Sequence, residues 1–255
     1  MKPSLAFPYY DPSGKMFPHL QAILPDLKEH FGRTYICPPL NTRQNTEIMA
    51  CLEADPFFYV FPLDKQLRIG EHFKHLYLSA ARVAQPDEII HLAYLDRLSF
   101  ALEGEHRTQF LTDMDSLSLD DVPLIFHRSA AAWATHPQNY ARLEKFVTRI
   151  GETLFGQSLE YGWCHLAVCA EELRTIMPKI TTPGLSMVAE MILHMQHHIH
   201  VREVDWLSWE DPFIDGRDPD ELKAEREASV DEYEGRLSYC LPMVEVLVEF
   251  SMNGK

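Results

Sequence analysis

Short apolar runs alternate with longer stretches whose apolar residues recur every three to four positions, and no other feature of the chain restricts its fold so strongly. The run at 5–10 is followed by Asp11-Pro12-Ser13-Gly14, which is turn chemistry. Over 16–31, Phe17, Leu20, Ile23, Leu24, Leu27 and Phe31 share one helical face, and Gly32 stands at the stop position. A second strand is expected at 33–37, ended by Pro38 and Pro39. The pattern then repeats: helix 46–53, strand 57–61, helix 71–84, a break at Pro86-Asp87, and strand 88–94. A further strand is expected at 122–127, and a helix at 139–155 with Tyr140, Leu143, Phe146, Val147, Ile150 and Leu154 on one face. Strands alternating with helices predict an α/β protein with a mainly parallel central sheet covered on both faces.

The last part of the 255-residue chain reads differently. A helix at 187–196 and a strand at 199–206 precede a polar loop at 211–219. The stretch 220–250 is helical, charged at first and apolar later, with Pro242 expected to kink or restart it. The expected division is a main domain over 1–210 and a C-terminal helical extension over 211–255. Leu237, Leu241, Val244 and Val248 follow helical spacing, so this extension should pack on the domain or on a second copy in a homo-oligomer.

Charge narrows the partners. Twenty-three basic residues against 38 acidic ones leave a formal charge of −15, too few cations to build the basic face that nucleic acid requires. A phosphate-bearing ligand would need a placed arginine, a helix N-terminus or a metal ion to offset that charge. No run approaches the roughly 20 apolar residues of a membrane span, and residues 1–10 lack a signal-peptide pattern, so a cytoplasmic location is expected. Five cysteines at irregular spacing, with no C-x-x-C, read as buried free thiols rather than a disulfide framework.

Several chemical motifs fail on inspection. A GxxxxGK reading ending at Gly14-Lys15 puts Tyr9 where its first glycine belongs. There is no G-x-S-x-G and no G-x-G-x-x-G after the first strand. Asp113-Met114-Asp115 lies among Ser116, Ser118, Asp120 and Asp121 and reads as a solvated acidic stretch. His194 and His198 are spaced to share a helix face as in zinc hydrolases, but Met195 replaces the glutamate of that motif. Exposed histidines at a helix end, favoured there by the helix dipole, compete with a metal site over 194–200.

Three segments carry more. The first is Phe7-Pro8-Tyr9-Tyr10-Asp11-Pro12-Ser13-Gly14; the second is His91-Leu92-Ala93-Tyr94-Leu95-Asp96-Arg97-Leu98. The third is Arg128-Ser129 through Trp133-Ala134-Thr135-His136-Pro137, with Ala189-Glu190 and the stretch Glu203 to Glu210 downstream. In order and spacing over residues 5–210 they resemble bacterial proteins related to GT-A-type nucleotide-sugar glycosyltransferases. The resemblance implies a GT-A-like fold and transfer of a sugar from a nucleotide-diphosphate sugar to an acceptor whose nature it leaves open. It implies that Asp96 ligates Mg²⁺ or Mn²⁺. It places Arg97, Phe7, Tyr9 and Arg128 at the nucleotide, Glu190 as the catalytic base, and His136 on the wall of the crevice.

The chain also departs from that group. Tyr94 stands where the first aspartate of the metal motif belongs, and Arg128-Ser129 replaces arginine-threonine. Trp163-Cys164-His165-Leu166 replaces a glycine- and serine-rich acceptor segment. Bland readings stay open beside the functional ones. Asp96 can cap a helix, Glu190 can be a solvated helix residue, and His136 can be tied into the turn before Pro137. A catalytically silent binding or scaffold protein is the alternative to an enzyme, and a histidine-site metal protein is a third reading.

Overall fold

A computed structural model describes residues 2–162 and 165–253. Seven strands form one sheet: β1 Ser4–Phe7, β2 Thr34–Ile36, β3 Phe58–Val60, β4 Ile89–Leu92, β5 Leu124–Arg128, β6 Leu166–Cys169 and β7 His200–Val204. Their order across the sheet is β3-β2-β1-β4-β6-β5-β7. Neighbours are parallel except where β6 runs against β4 and β5. The expected α/β architecture with a mainly parallel sheet is therefore present.

Helices cover both faces. In chain order they are α1 Phe17–His30, α2 Leu40–Arg43, α3 Thr46–Ala54, α4 Ile69–Val83, α5 Leu95–Glu103, α6 Arg107–Asp115 and α7 Ala130–Thr135. There follow α8 Gln138–Phe155, α9 Ala170–Ile176, α10 Met187–Met195, α11 Asp211–Asp215, α12 Pro219–Ala228 and α13 Val230–Asn253. Alternation along the strands divides the core in two. Leu5 and Phe7 of β1 face Leu20 of α1, Ile48 of α3, Leu98 of α5 and Phe110 of α6. Ala6 and Ile90 face the other way, toward Leu76 of α4, Val147 of α8, Leu173 of α9, Val188 of α10 and Met243 of α13. Each such leucine or valine, removed from water, contributes on the order of 1.5–3 kcal/mol.

Three features differ from what the sequence pattern offers. Leu166–Cys169 is a strand, and its four residues are too few for a period-two pattern to separate them from any short apolar run. Within the expected loop at 211–219 lies α11, started by Pro212 in its first turn and stopped by Gly216 in the left-handed conformation at φ 63°. Finally, α13 continues as one helix through Pro242, so no second segment starts there. The carbonyl that this proline leaves without an amide donor belongs to Ser238, an exposed residue, so water can take the vacated bond.

Candidate functional site

Strand order reverses at β1, with β2 and β3 on one side and β4 on the other. Open α/β sheets bind ligands at such a switch point, outside the carboxyl ends of the strands. Because β6 alone is reversed, β1, β4, β5 and β7 all end at the same edge. Four separate pieces of sequence thus converge there. They are the residues after Phe7, the Tyr94–Arg97 stretch at the start of α5, Arg128 at the end of β5, and the segment from β7 into α11.

A cavity of about 160 Å³ lies at this edge, lined by Asp96, Arg97, Arg128, His136, Trp209 and Glu210 among others. Tyr140 and Glu144 of α8 and Arg236 of α13 complete its wall. Arg97 is buried, and its Nη1 donates to the carbonyls of Leu207 (3.1 Å) and Ser208 (3.0 Å) while lying 2.9 Å from Glu210 Oε2. Among the described residues no hydrogen bond engages its Nε or Nη2. Arg128 is more fully held. Its Nε donates to Glu160 (2.8 Å), its Nη2 to Glu144 (2.6 Å), and its guanidinium lies 3.7 Å from the centre of the Trp133 ring. Burial opposes that charge, but Glu144 and Glu160 outweigh it and raise the pKa of Arg128.

His136 is nearly inaccessible, at 2% exposure. Its Nδ1 lies 2.9 Å from the carbonyl of Ala132, so that nitrogen carries the proton. Nε2 is buried with no partner among the described residues. Burial, then the charges of Arg128 and Arg97, hold the imidazole well below the usual histidine range and keep it neutral. A neutral ring leaves a bare acceptor lone pair at the cavity wall. Glu210 behaves in the opposite sense. Burial, reinforced by Asp96 and Asp211 and opposed by Arg97, pushes its carboxyl up to about 8. Burial also raises Asp96, against the pull of Arg97.

A larger cleft of about 420 Å³ shares Tyr94, Asp96 and Arg236 with this cavity. Its other walls are mostly apolar: Pro8 and Tyr10 after β1, Ile69 and Phe73 of α4, Leu185 before α10, and Tyr239 of α13. The stretch expected as an extension at 211–255 therefore lines these cavities, through Asp211, Arg236 and Tyr239.

Of the residues expected from sequence, the fold brings Asp96, Arg97, Arg128 and His136 together. Phe7 is fully buried within β1, and Tyr9 is buried with its hydroxyl donating to Asp11, so neither lines the cavities. Glu190 is not brought to them either. Its carboxylate accepts from the amides and hydroxyls of Thr181 and Thr182 at 2.6–3.1 Å, which clamps the loop before α10. These bonds pull Glu190 below its ordinary pKa despite the opposing effect of burial. Sequence reading did not single out Tyr140, Glu144, Glu160 or Arg236 as site residues. Glu210 closed a quoted segment, but nothing in its neighbours told of its burial.

Asp96, expected to hold Mg²⁺ or Mn²⁺, shares the inner cavity with Glu210 and Asp211. Among the described residues no group of three or more His, Cys, Asp or Glu is spaced to hold a metal ion. One oxygen of Asp96 accepts the Arg97 amide at 2.8 Å, and Glu210 is engaged by Arg97. The histidines at 194 and 198 have separate partners: His194 meets Phe250 edge to face and His198 bonds to Glu172 at 2.6 Å. Asp113 accepts from the indole of buried Trp206 at 2.9 Å and pairs with Arg202, so it is structural rather than merely solvated. Trp163 and Cys164 lie outside the described residues. No helix among the described residues is long and apolar enough to cross a membrane.

No known family model matches the chain, and no curated protein matches it. Among solved structures it is similar to S. aureus TarS 1–349, at 14% identity and a TM-score of 0.44, over 99% of this chain and 73% of that one.

Proposed function

We propose that this chain is a glycosyltransferase-like protein that binds a nucleotide-diphosphate sugar at the carboxyl edge of its sheet and transfers the sugar to an acceptor. One observation carries the reading. At the switch point of an acidic chain, a buried arginine with an uncommitted guanidinium edge, Arg97, lies beside a buried acceptor, His136 Nε2, in a cavity adjoining an apolar cleft. A nucleotide sugar matches that sequence of surfaces. Its base suits the walls of Tyr10, Ile69 and Tyr239, its diphosphate suits Arg97 and Arg236, and a sugar hydroxyl can donate to His136.

Transfer breaks the bond between the anomeric carbon and the phosphate oxygen and forms one to an acceptor hydroxyl oxygen. The nucleoside diphosphate leaves, and the hydroxyl proton must go to a base. Glu210 in its ionised form suits that task better than Glu190. It lines the cavity and exchanges a proton near neutral pH, whereas the Glu190 oxygens are consumed by the threonine loop. The guanidinium groups of Arg97 and Arg236 meet the developing charge on the leaving diphosphate.

A binding protein without turnover is the second reading, and Tyr94 in place of a metal-motif aspartate favours it. Thermal shift with uridine, guanosine and adenosine diphosphates and their sugar conjugates, with and without Mn²⁺, tests binding. Hydrolysis or transfer from the bound conjugate then separates the two readings. Stabilisation by at least one diphosphate without Mn²⁺ is expected; no shift with any of them contradicts the proposal.

A further inference from the structure

Along the segment linking β7 to α11 lies an open cleft of about 770 Å³, several times the inner cavity and sharing Trp209 with it. We infer that this cleft binds a neutral saccharide chain of more than one sugar unit, the acceptor of the transfer reaction. The inference rests on the glycosyltransferase reading for its role, and on the cleft itself for its ligand.

The lining has two characters. Phe100, Trp209 and Phe213 supply aromatic surface, with the rings of Phe100 and Phe213 edge to face at 5.9 Å. Glu105, Asp205 and Asp220 face Arg217 and Lys223, so the signs nearly cancel and no phosphate or polycation is favoured. A ligand complementary to such a wall is uncharged, has apolar faces for the rings and carries many hydroxyls for carboxylate and ammonium partners. A saccharide chain has that chemistry. The volume lies within the range of small-molecule clefts and exceeds what one sugar fills.

Position gives the cleft its role. Trp209 lines both the outer cleft and the inner cavity, and its amide donates to Thr135 Oγ1 at 2.8 Å, which pins the dividing segment. The next residue, Glu210, reaches inward to Arg97 at 2.9 Å. A chain lying against Trp209 is thus one residue from the proposed base.

The test uses the full chain on an array of defined neutral oligosaccharides with a peptide array alongside, and calorimetry with uridine, guanosine and adenosine diphosphates as an independent readout. Glu105 and Asp220 are exposed, so Glu105→Gln with Asp220→Asn should fold normally. The double variant should lose at least tenfold in oligosaccharide retention and keep its diphosphate affinity. Phe213→Ser should do the same. Equal retention by both variants overturns the inference, as does a wild-type chain that binds peptides but no oligosaccharide. Retention lost in the variants, with no diphosphate bound by any form, upholds the cleft and rejects the reading of the inner site. Diphosphate binding without any oligosaccharide retention does the reverse.

Discussion

Arg128 shows how single residues connect stability to the site. It is held between Glu144 and Glu160, and Glu144 also accepts from Arg236 at 2.9 Å, so one buried network ties β5, α8 and α13 together. Removing one member of such a network leaves buried charge unpaired, at a cost of about 3–5 kcal/mol. Arg128→Ala should lower the urea midpoint accordingly; a change under about 1 kcal/mol would mean that water already reaches those carboxylates. Glu210 adds a pH dependence of definite sign. Its folded pKa of about 8 lies above the ordinary 4.5, so between these values the native state holds a proton that the unfolded chain has released. Its contribution is present at low pH and is lost as pH rises through 8. Melting temperature should therefore fall between about pH 5 and 8, and Glu210→Gln should flatten that fall; an unchanged slope contradicts the assignment. Asp96, Arg97 and His136 were legible from residue order, whereas Glu210 and Arg236 were not. Their roles depend on burial and on partners more than 90 positions away, which a local pattern cannot carry.

Elements with strong periodicity were legible where the period had room to show itself. The 14-residue α1 and the 18-residue α8 emerge from apolar spacing alone, while four-residue β6 and five-residue α11 do not. Both short elements adjoin site segments: Glu160, which accepts from Arg128 at 2.8 Å, lies in the stretch before β6, and α11 follows Glu210. A second case is the entry of α4, where a Cβ added to Gly70 would lie 2.1 Å from the carbonyl oxygen of Gly184. That close approach, together with the Glu190 clamp, fixes the loop that carries Leu185 into the apolar cleft. Alanine favours a helix over glycine in general, yet Gly70→Ala should destabilise by about 1–3 kcal/mol because backbone has to move. Thermal denaturation decides the sign, and a stabilised variant would show that the loop yields freely.

At the scale of the whole molecule, the C-terminal helices are structural members of the domain. Met243 and Leu247 of α13 belong to the core against α4, α8 and α10, and Arg236 and Tyr239 of the same helix line the two site cavities. A chain ended after Gly216 should expose that apolar face, aggregate, and bind no diphosphate; a soluble truncation with native melting behaviour would contradict this. The central claim is that an acidic protein holds a diphosphate through placed arginines at the sheet's switch point. Isothermal titration of uridine, guanosine and adenosine diphosphates in the presence of EDTA, comparing the wild-type chain with Arg97→Gln, tests it most directly. The account predicts that the wild type binds at least one of them without a divalent cation and that Arg97→Gln weakens that affinity at least tenfold, about 1.4 kcal/mol. Binding that requires Mn²⁺, or that survives Arg97→Gln unchanged, would contradict it.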